Sequence, residues 1–390
     1  MASLKRRILF IVHDAARSGA PVLLLYFLRW LKVYDNEIKF DVLILRDGPL
    51  RKDFEALAKT FIVPKEYRYT LTNKLRVRKH PELVDKYRIS EVTAKLSKNG
   101  YTLVYGNTIV SLPYLLEFKR RVSVKTVCAI HELSNAIAFY FGKEDVTKSL
   151  PQADLIIAGS QAVKHNLNKE FSIPDDKIKV FHAFVDFNMA KTKDADTLRG
   201  ELDIAKDELI IGGMSQIELR KGVDLIVPVA VSLKKNYPGV KFKILWVGGT
   251  ATDNFIQVVK QDAQKCGVSE QILFIEHTSY PDDYINLYDI FLLLSREDPF
   301  PLVLLSAAHM GKGLIAFRDS GGAEELLNDG AGFMASYLNT QEIATIIADL
   351  YYHPDKISNA GKIAQEKVTR DFNLGKTSGL IYKALVELYK

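Results

Sequence analysis

Two adjacent carboxylates and a pair of glycines stand out among the residues able to bind or transfer a chemical group. Glu297 and Asp298 follow an apolar run that predicts a buried strand, and Pro301 begins a predicted helix. A second short strand leads into Gly321 and Gly322, which precede another predicted helix. The start of a helix presents unpaired backbone N–H groups and a positive dipole end, and both attract phosphate. Two such starts at neighbouring strand ends predict a site for a diphosphate.

Arg220 and Lys221 are the cations best placed in the sequence to neutralise such an anion. They stand in the run 212–222, which overlaps the end of a predicted strand and closes with Gly222. A departing diphosphate gains negative charge in the transition state, and fixed guanidinium and ammonium groups stabilise that charge. The alternative is a solvated pair at the start of the following helix.

The first half of the chain contributes one histidine and one glycine at predicted strand ends. His131 follows the predicted strand 123–129. At the carboxyl end of a strand, an imidazole can donate a hydrogen bond to a hydroxyl group or accept one from it. Gly19 belongs to the loop 13–20 after the predicted strand 7–12, and a glycine there lets a ligand approach the backbone. A purely structural histidine and an ordinary connecting loop are the alternatives.

Short strands alternate with helices in both halves of the chain. The predicted strands are 7–12, 40–45, 103–105, 123–129, 155–158, 178–181, 208–213, 241–248, 271–275, 290–294 and 314–317. Apolar strands separated by helices predict parallel sheets covered on both faces, and ligands of such sheets bind beyond the carboxyl ends of the strands. A polar stretch interrupts the alternation once. The predicted domains are therefore a Rossmann-like domain at 1–186, a linker at 187–199, a second Rossmann-like domain at 200–375 and a final helix at 376–390.

Composition indicates a globular protein without a disulfide framework. A chain of 390 residues exceeds one ordinary core, and 47% apolar with 26% charged residues is typical of folded domains. Cys128 and Cys266 are the only cysteines, so we expect a cytoplasmic protein. No apolar run approaches the roughly 18 residues of a membrane-spanning helix. The basic N-terminus precedes a short apolar run, 8–12, that is better interpreted as a first strand than as a signal peptide.

The charge is unevenly distributed between the two halves. The net charge is +6, of which residues 1–185 contribute +12 and residues 186–390 contribute −6. Much of the excess lies in the basic stretch 65–98, which would suit an anionic membrane, an acidic glycan acceptor or merely solvent. One of these alternatives is peripheral contact of the basic stretch with the inner face of a membrane. Nucleic acid is not expected as a partner, because no recognition motif accompanies the charge.

These motifs together resemble the retaining, GT-B-fold glycosyltransferases of family 4, also described as glycosyl transferases group 1. That family has an acid before a Phe-containing turn, a Glu eight residues later, a Gly-Gly…Glu element and an Arg…Lys-Gly element. The resemblance spans nearly the whole chain and implies two Rossmann-like domains with parallel sheets facing an interdomain cleft. It also implies that the last helix crosses back onto the first domain. The implied catalytic residues are His131, Glu297 and Asp298, with either acid as the one that binds the donor sugar. The implied donor-binding residues are Gly19, Arg220, Lys221, Phe300, Leu302, Ser306, Gly321, Gly322 and Glu325.

Three positions depart from the family pattern. Ser306 occupies the place of the second Glu, which in the family binds the nucleotide ribose, and its loss should cost about 1.5–3 kcal/mol of binding. Gln216 stands where the family has Arg, so we expect Arg220 to supply the guanidinium. The loop that ends at Gly19 and Ala20 has one glycine fewer than is usual.

The resemblance implies transfer of a sugar from a nucleotide-diphosphate donor to a glycan or lipid-linked acceptor, with retention and without a metal or cofactor. The pattern Asp194-Ala195-Asp196, which marks metal-dependent glycosyltransferases of another fold, lies in the predicted linker instead of after a strand. Two other hypotheses stay open. One is a catalytically weakened nucleotide-sugar-binding or scaffold protein that has lost the acid at Ser306, and the other is a nucleotide-sugar epimerase or phosphorylase on the same fold.

Overall fold

The computed structural model describes residues 6–64, 83–186, 192–250 and 252–389. The chain divides into two compact units, each with its own sheet. Unit 1 comprises Met1–Ala183 together with Leu374–Lys390, and unit 2 comprises Phe184–Asn373.

Unit 1 is built on a parallel sheet of seven strands in the order β3-β2-β1-β4-β5-β6-β7. Its central strands are apolar and almost entirely buried, as a sheet covered on both faces requires. The strands are β1 Arg7–Val12, β2 Lys39–Ile44, β3 Lys59–Ile62, β4 Leu103–Asn107, β5 Lys125–Ile130, β6 Leu155–Ala158 and β7 Ile178–Val180. The described helices that connect them are α1 Gly19–Tyr34, α2 Arg51–Leu57, α3 Leu83–Leu96, α4 Leu112–Arg121, α5 Ser134–Tyr140, α6 Lys143–Ser149 and α7 Gln161–Phe171.

Unit 2 repeats this design with a parallel sheet of six strands in the order β10-β9-β8-β11-β12-β13. The strands are β8 Leu209–Met214, β9 Phe242–Val247, β10 Ile272–Ile275, β11 Ile290–Leu293, β12 Gly313–Phe317 and β13 Phe333–Ala335. Its described helices are α8 Ala195–Glu201, α9 Ile226–Asn236, α10 Asn254–Lys265, α11 Pro281–Leu287, α12 Leu302–His309, α13 Ala323–Leu327, α14 Thr340–Tyr352 and α15 Pro354–Asp371. The α/β architecture with two Rossmann-like domains is thus confirmed.

The final helix, α16 Leu374–Glu387, belongs to unit 1 and packs against α1. Trp30 and Tyr34 of α1 stack at 4.3 Å between ring centroids, and the Tyr382 ring meets Tyr34 edge-on at 5.2 Å. The Tyr382 hydroxyl donates to Asp35 at 2.6 Å. This aromatic cluster and its hydrogen bond, together with the ion pair of Glu387 and Lys179 at 2.8 Å, therefore hold α16 on unit 1.

The structure differs from the sequence-based expectations in several elements. The predicted linker 187–199 contains the first five residues of α8, while residues 187–191 lie outside the described part. Strands β3 and β13 and helix α15 were not predicted, because β3 and β13 are short and only partly buried and α15 has a mostly polar sequence. Most of the basic stretch, 65–82, also lies outside the described residues. Among the described residues, no helix has the length and apolar character needed to cross a bilayer.

Substitution of Tyr382 tests how strongly α16 stabilises unit 1. Tyr382→Phe removes only the hydroxyl that donates to Asp35 and should lower the free energy of unfolding by about 1 kcal/mol. Tyr382→Ala also removes the ring that packs on Tyr34, so the loss should reach roughly 2–3 kcal/mol. Chemical denaturation measures both values. Equal losses in the two variants would show that the ring packing contributes nothing.

Candidate functional site

In both sheets the strand order reverses next to the first strand of the unit. The reversal lies between β1 and β4 in unit 1 and between β8 and β11 in unit 2. At such a point the two connections leave toward opposite faces of the sheet and open a crevice at the carboxyl ends of the strands. Several candidate residues follow the strands at these two places, among them Gly19 in unit 1 and Lys221 and Asp298 in unit 2.

In unit 2 the structure joins Lys221 to Asp298. Lys221 follows β8 and Asp298 follows β11, and these neighbouring strands bring Nζ within 2.5 Å of Oδ2. The Asp298 side chain is 6% exposed and the Lys221 side chain 19%. Ser295 donates its hydroxyl to the same carboxylate oxygen at 3.2 Å. An ammonium and a carboxylate are thus fixed together, largely out of water, at the reversal of strand order.

Arg220 reaches the same loop through the backbone of Glu297. Its Nη1 donates to the Glu297 carbonyl oxygen at 2.9 Å, and its Nη2 donates to the Glu218 carboxylate at 3.2 Å. Glu297 itself is half-buried. The two predicted cations therefore lie side by side and bind the two residues of the acidic pair in different ways: Lys221 by the side chain of Asp298, Arg220 by the backbone of Glu297.

Arg296 and Asp224 fix this loop in place, and sequence reasoning missed both. The Arg296 guanidinium forms a bidentate pair with Asp224 at 2.9 and 2.8 Å and donates to the Leu219 carbonyl. The Arg296 N–H also donates to the Arg220 carbonyl at 2.7 Å. The Asp224 hydrogen bonds, opposed by partial burial, raise the pKa of Arg296. The only sequence signal was an Arg beside the acids, which we had no reason to pair with Asp224.

The Gly321 and Gly322 turn lies directly beside Asp298. The Asp298 N–H donates to the Ser320 carbonyl at 2.7 Å, and the Gly322 N–H donates to the Asp298 carbonyl at 3.0 Å. A Cβ on Gly322 would stand 2.2 Å from the Pro299 carbonyl oxygen, so only glycine allows this approach. The close backbone contact joins the loops after β11 and β12 into one surface.

The remaining donor-binding candidates sit on or beside the two helices that follow these loops. Pro301 is the N-cap of α12, Leu302 and Ser306 are half-buried on that helix, and Phe300 is buried with its ring 5.2 Å from Phe372. The helix after Gly322, α13, has only five residues, and Glu325 is half-buried on it. A helix this short adds little macrodipole, so the two helix starts are unequal as phosphate sites.

In unit 1 a chain of hydrogen bonds links His131 to the first helix. His131 Nε2 lies 3.1 Å from Asn107 Oδ1, and Asn107 Nδ2 donates to the Ala20 carbonyl at 2.9 Å. Because the Asn107 amide nitrogen is the donor to Ala20, its oxygen accepts from a protonated Nε2, and this leaves Nδ1 of His131 unprotonated. Gly19 is the first residue of α1, directly before Ala20. The ends of β4 and β5 and the start of α1 are thereby connected.

Burial determines the protonation of this cluster. Burial, and secondarily the charge of His13, lowers the pKa of His131 to about 4, so its imidazole is neutral at neutral pH. Burial also raises the pKa of Glu132 to about 7, against the lowering effects of the His131 N–H and of His13. Burial acts to raise the pKa of Asp14, but hydrogen bonds from His13 and from the Ala16 N–H hold it below its usual value. Asn107 and Glu132 were not predicted, although both are polar residues directly at strand ends.

The metal-binding pattern and a cavity of unit 2 lie away from these loops. Asp194 is the N-cap of α8 and accepts from the Thr197 N–H at 2.8 Å. Within the described ranges, no three His, Cys, Asp or Glu side chains are grouped as metal ligands. A cavity of about 730 Å³ in unit 2 is lined by Arg199, Lys241 and Phe242 among others, at the amino ends of β8 and β9. It lies at the edge of the sheet opposite the Lys221–Asp298 pair.

Substitution of Gly222 tests the fixed position of Lys221. Gly222 has φ +73°, and a Cβ there would stand 2.0 Å from the Leu294 carbonyl oxygen, so Gly222→Ala should lower the free energy of unfolding by roughly 2–4 kcal/mol. The matched control is Gly200→Ala on α8, where an added Cβ meets no atom within 4 Å, and a gain of about 0.5–1 kcal/mol is expected. Thermal denaturation of both variants gives the comparison. A Gly222→Ala protein as stable as Gly200→Ala would contradict the close approach of the loop to Leu294.

Comparison with known proteins gives concordant matches over both units. The family described as "Glycosyltransferase Family 4" matches residues 18–188, and "Glycosyl transferases group 1" matches residues 194–367. A D-inositol 3-phosphate glycosyltransferase of Nocardia farcinica is 25% identical over 54% of this chain, and an N-acetyl-alpha-D-glucosaminyl L-malate synthase of Bacillus anthracis is 26% identical over 57%. The alignments span only 48% and 57% of those two relatives. The capsular polysaccharide biosynthesis glycosyltransferase CapM of Staphylococcus aureus is 22% identical over 92% of this chain and 86% of its own length.

Solved structures share the fold over nearly the full chain. Anabaena HepE, crystallised with UDP and glucose, superposes with a TM-score of 0.80 at 20% identity and covers 97% of this chain and 99% of its own. The sucrose-phosphate synthase of Thermosynechococcus elongatus has a TM-score of 0.79 at 16% identity, with 98% and 99% coverage. From the matched families, the two sheets and these likenesses, the chain belongs to the GT-B-fold glycosyltransferases of family 4.

Proposed function

We propose that this protein is a retaining glycosyltransferase of the hexosyltransferase type. It transfers a sugar from a nucleotide-diphosphate donor to a hydroxyl of a glycan or a lipid-linked glycan, without a metal. The observation that carries the proposal is the contact between Lys221 and Asp298 at the strand reversal of unit 2. This contact supports the proposal because an ammonium group suits a diphosphate and a neighbouring carboxylate suits sugar hydroxyls.

The chemistry needs two groups of opposite charge at one place. The bond between the sugar C1 and the diphosphate breaks, and the acceptor oxygen bonds to C1 from the same face. The acceptor proton passes to the departing phosphate oxygen, which balances the reaction. Lys221 and Arg220 stabilise the charge that collects on the diphosphate, and backbone N–H groups at the start of α12 add to this. These fixed charges are our reason for proposing a metal-independent transfer.

Of the two acids, Asp298 is the one we assign to the donor sugar. Its carboxylate touches Lys221, so a diphosphate bound by that ammonium lies beside it, and its backbone is joined to Ser320 and Gly322. Glu297 contributes its carbonyl oxygen, which accepts from Arg220. In this assignment Glu297 orients Arg220 through the backbone, a role that does not depend on its own side chain.

Two similar proteins support the donor nucleotide and the acceptor that we propose for this chain. Anabaena HepE was crystallised with UDP and with UDP-glucose, which favours a uridine nucleotide donor for this chain. CapM is named for capsular polysaccharide biosynthesis, which favours a growing glycan as acceptor. We assign the acceptor to unit 1, and retain peripheral contact with the cytoplasmic face of a membrane through the basic stretch 65–98 as part of the proposal. Flotation with anionic liposomes at low salt addresses that contact.

A matched pair of isosteric substitutions distinguishes the two acids. Asp298→Asn removes the charge beside Lys221 and should lower the turnover number at least about tenfold. Glu297→Gln leaves the carbonyl that binds Arg220 in place, so turnover should change by less than about threefold. Release of the nucleoside diphosphate measures both. A greater loss in Glu297→Gln than in Asp298→Asn would reverse the assignment.

The second candidate function is a nucleotide-sugar-binding or scaffold protein without turnover. It is favoured by one observation, the short neutral side chain of Ser306 on α12 where the family has a Glu. Ser306→Glu should restore a charge-assisted hydrogen bond to the ribose and tighten nucleotide binding by about tenfold or more. If the substitution leaves affinity and turnover unchanged, the ribose does not bind at this position.

A donor panel tests the proposed function directly. The wild type and Ser306→Glu are incubated with UDP-, GDP-, ADP- and dTDP-sugars, and nucleoside diphosphate release is measured beside calorimetric binding of each free nucleotide. Binding of one nucleotide with slow release from its sugar supports the transferase. Binding without release in either variant, with and without glycan acceptors, supports the scaffold.

A further inference from the structure

The Glu132 carboxylate ties together two strand ends of unit 1. Its Oε2 accepts the backbone N–H of His131 at 2.8 Å and that of Ile109 at 3.4 Å. His131 follows the end of β5, and Ile109 follows β4 by two residues. One side-chain oxygen therefore bridges the loops that follow β4 and β5, beside the backbone hydrogen bond from the Thr108 N–H to the Ala129 carbonyl at 2.8 Å.

The two loops joined by Glu132 adjoin His131 and Asn107, whose side chains form the hydrogen-bonded chain to the Ala20 carbonyl. His131 and Asn107 lie on either side of the bridge and are 3.1 Å apart through Nε2 and Oδ1. Between Asn107 and Ile109, Thr108 has φ +104°, an unfavourable value for a β-branched residue. Thr108 is 2% exposed, and its hydroxyl has no hydrogen-bond partner. A strained residue persists only where its surroundings hold it: the Thr108 N–H is hydrogen-bonded to the Ala129 carbonyl, and the Glu132 bridge fixes the next residue, Ile109.

We infer that Glu132 is a positioning residue whose ionised carboxylate holds the His131–Asn107 pair in the arrangement that sugar transfer requires. The inference rests on the proposed function. Hydrogen bonds from N–H groups to an ionised carboxylate are about twice as strong as those to a neutral acceptor. The charge of Glu132, and not only its shape, then determines how firmly the two loops are joined.

Burial disfavours the ionised form of Glu132, so its ionisation should change both stability and activity with pH. The titratable groups around Glu132 are His13 with its partner Asp14 at the end of β1, and Cys128 and His131 on and after β5. Burial dominates and raises the Glu132 pKa to about 7, whereas in the unfolded chain the carboxyl ionises near its ordinary value. A raised folded-state pKa means that stability is complete at low pH and falls as the pH rises toward 7. An ionised Glu132 therefore reduces stability while it supports activity.

Glu132→Gln separates these effects, because the amide keeps a carbonyl acceptor but carries no charge. In the wild type, kcat should rise through about pH 7 as Glu132 ionises. In Glu132→Gln it should stay flat and be about tenfold lower at pH 8, with the KM for the donor unchanged because Arg220, Lys221 and Asp298, to which the proposed function assigns the donor, lie in unit 2. The same variant should melt at a higher temperature than the wild type at about pH 8 and at nearly the same temperature at about pH 4, below the pKa of the unfolded carboxyl. The control is Glu144→Gln on α6, where the side chain is 87% exposed, and neither profile should change.

Three results would overturn the inference. A Glu132→Gln protein with lower activity and lower stability at pH 8 would make Glu132 an ordinary structural acceptor. A wild-type kcat independent of pH across 7, or a shift in donor KM without a change in kcat, would remove the role of its charge in transfer. Failure of the wild type to release nucleotide from any donor would instead reject the proposed function, and the inference with it.

Discussion

The reversal of strand order in each sheet is the constraint on which the candidate sites depend. Where neighbouring parallel strands send their connections to opposite faces, their carboxyl ends lie side by side with no helix between them. β8 and β11 are such neighbours, and residues 77 positions apart in sequence, Lys221 and Asp298, meet there. β1 and β4 are the equivalent pair in unit 1, with Asn107 at the end of β4. The geometry of the sheet, and not any local sequence preference, brings these residues together.

Both sites contain polar groups that are costly to bury, and the two units stabilise them differently. In unit 2 opposite charges compensate each other, since Lys221 pairs with Asp298 and Arg296 pairs with Asp224. Removing one member of such a pair leaves a buried charge and costs more than the pair contributes. For this reason a substitution of Lys221 should lower stability as well as activity. In unit 1 the described contacts show no Lys or Arg paired with Glu132. Its carboxylate accepts hydrogen bonds from backbone N–H groups instead.

The sequence predicted the architecture more completely than the sites. Fully or almost fully buried strands such as β1 and β6 were placed with their observed bounds, because continuous burial gives a clear apolar run. The short strands β3 and β13 and the polar helix α15 gave no such signal. Glu297, Asp298, Arg220 and Lys221 were singled out by type and spacing, yet which acid meets which cation depends on side-chain directions in two loops. Asn107, Glu132, Asp224 and Arg296 were missed since their partners are distant in sequence or belong to the backbone.

The position of α16 has a consequence for how the chain acquires its structure. Unit 2 is a continuous segment, Phe184–Asn373, whereas unit 1 combines the start of the chain with Leu374–Lys390. During synthesis, unit 2 emerges with all of its strands in succession, but Trp30 and Tyr34 cannot contact Tyr382 until all of unit 2 has been made. Contacts of such large sequence separation form late, because closing the intervening loop costs entropy before the contact is gained. The first unit to be translated is therefore the last to be completed, and its apolar α1 surface is exposed to solvent or chaperones in the interval.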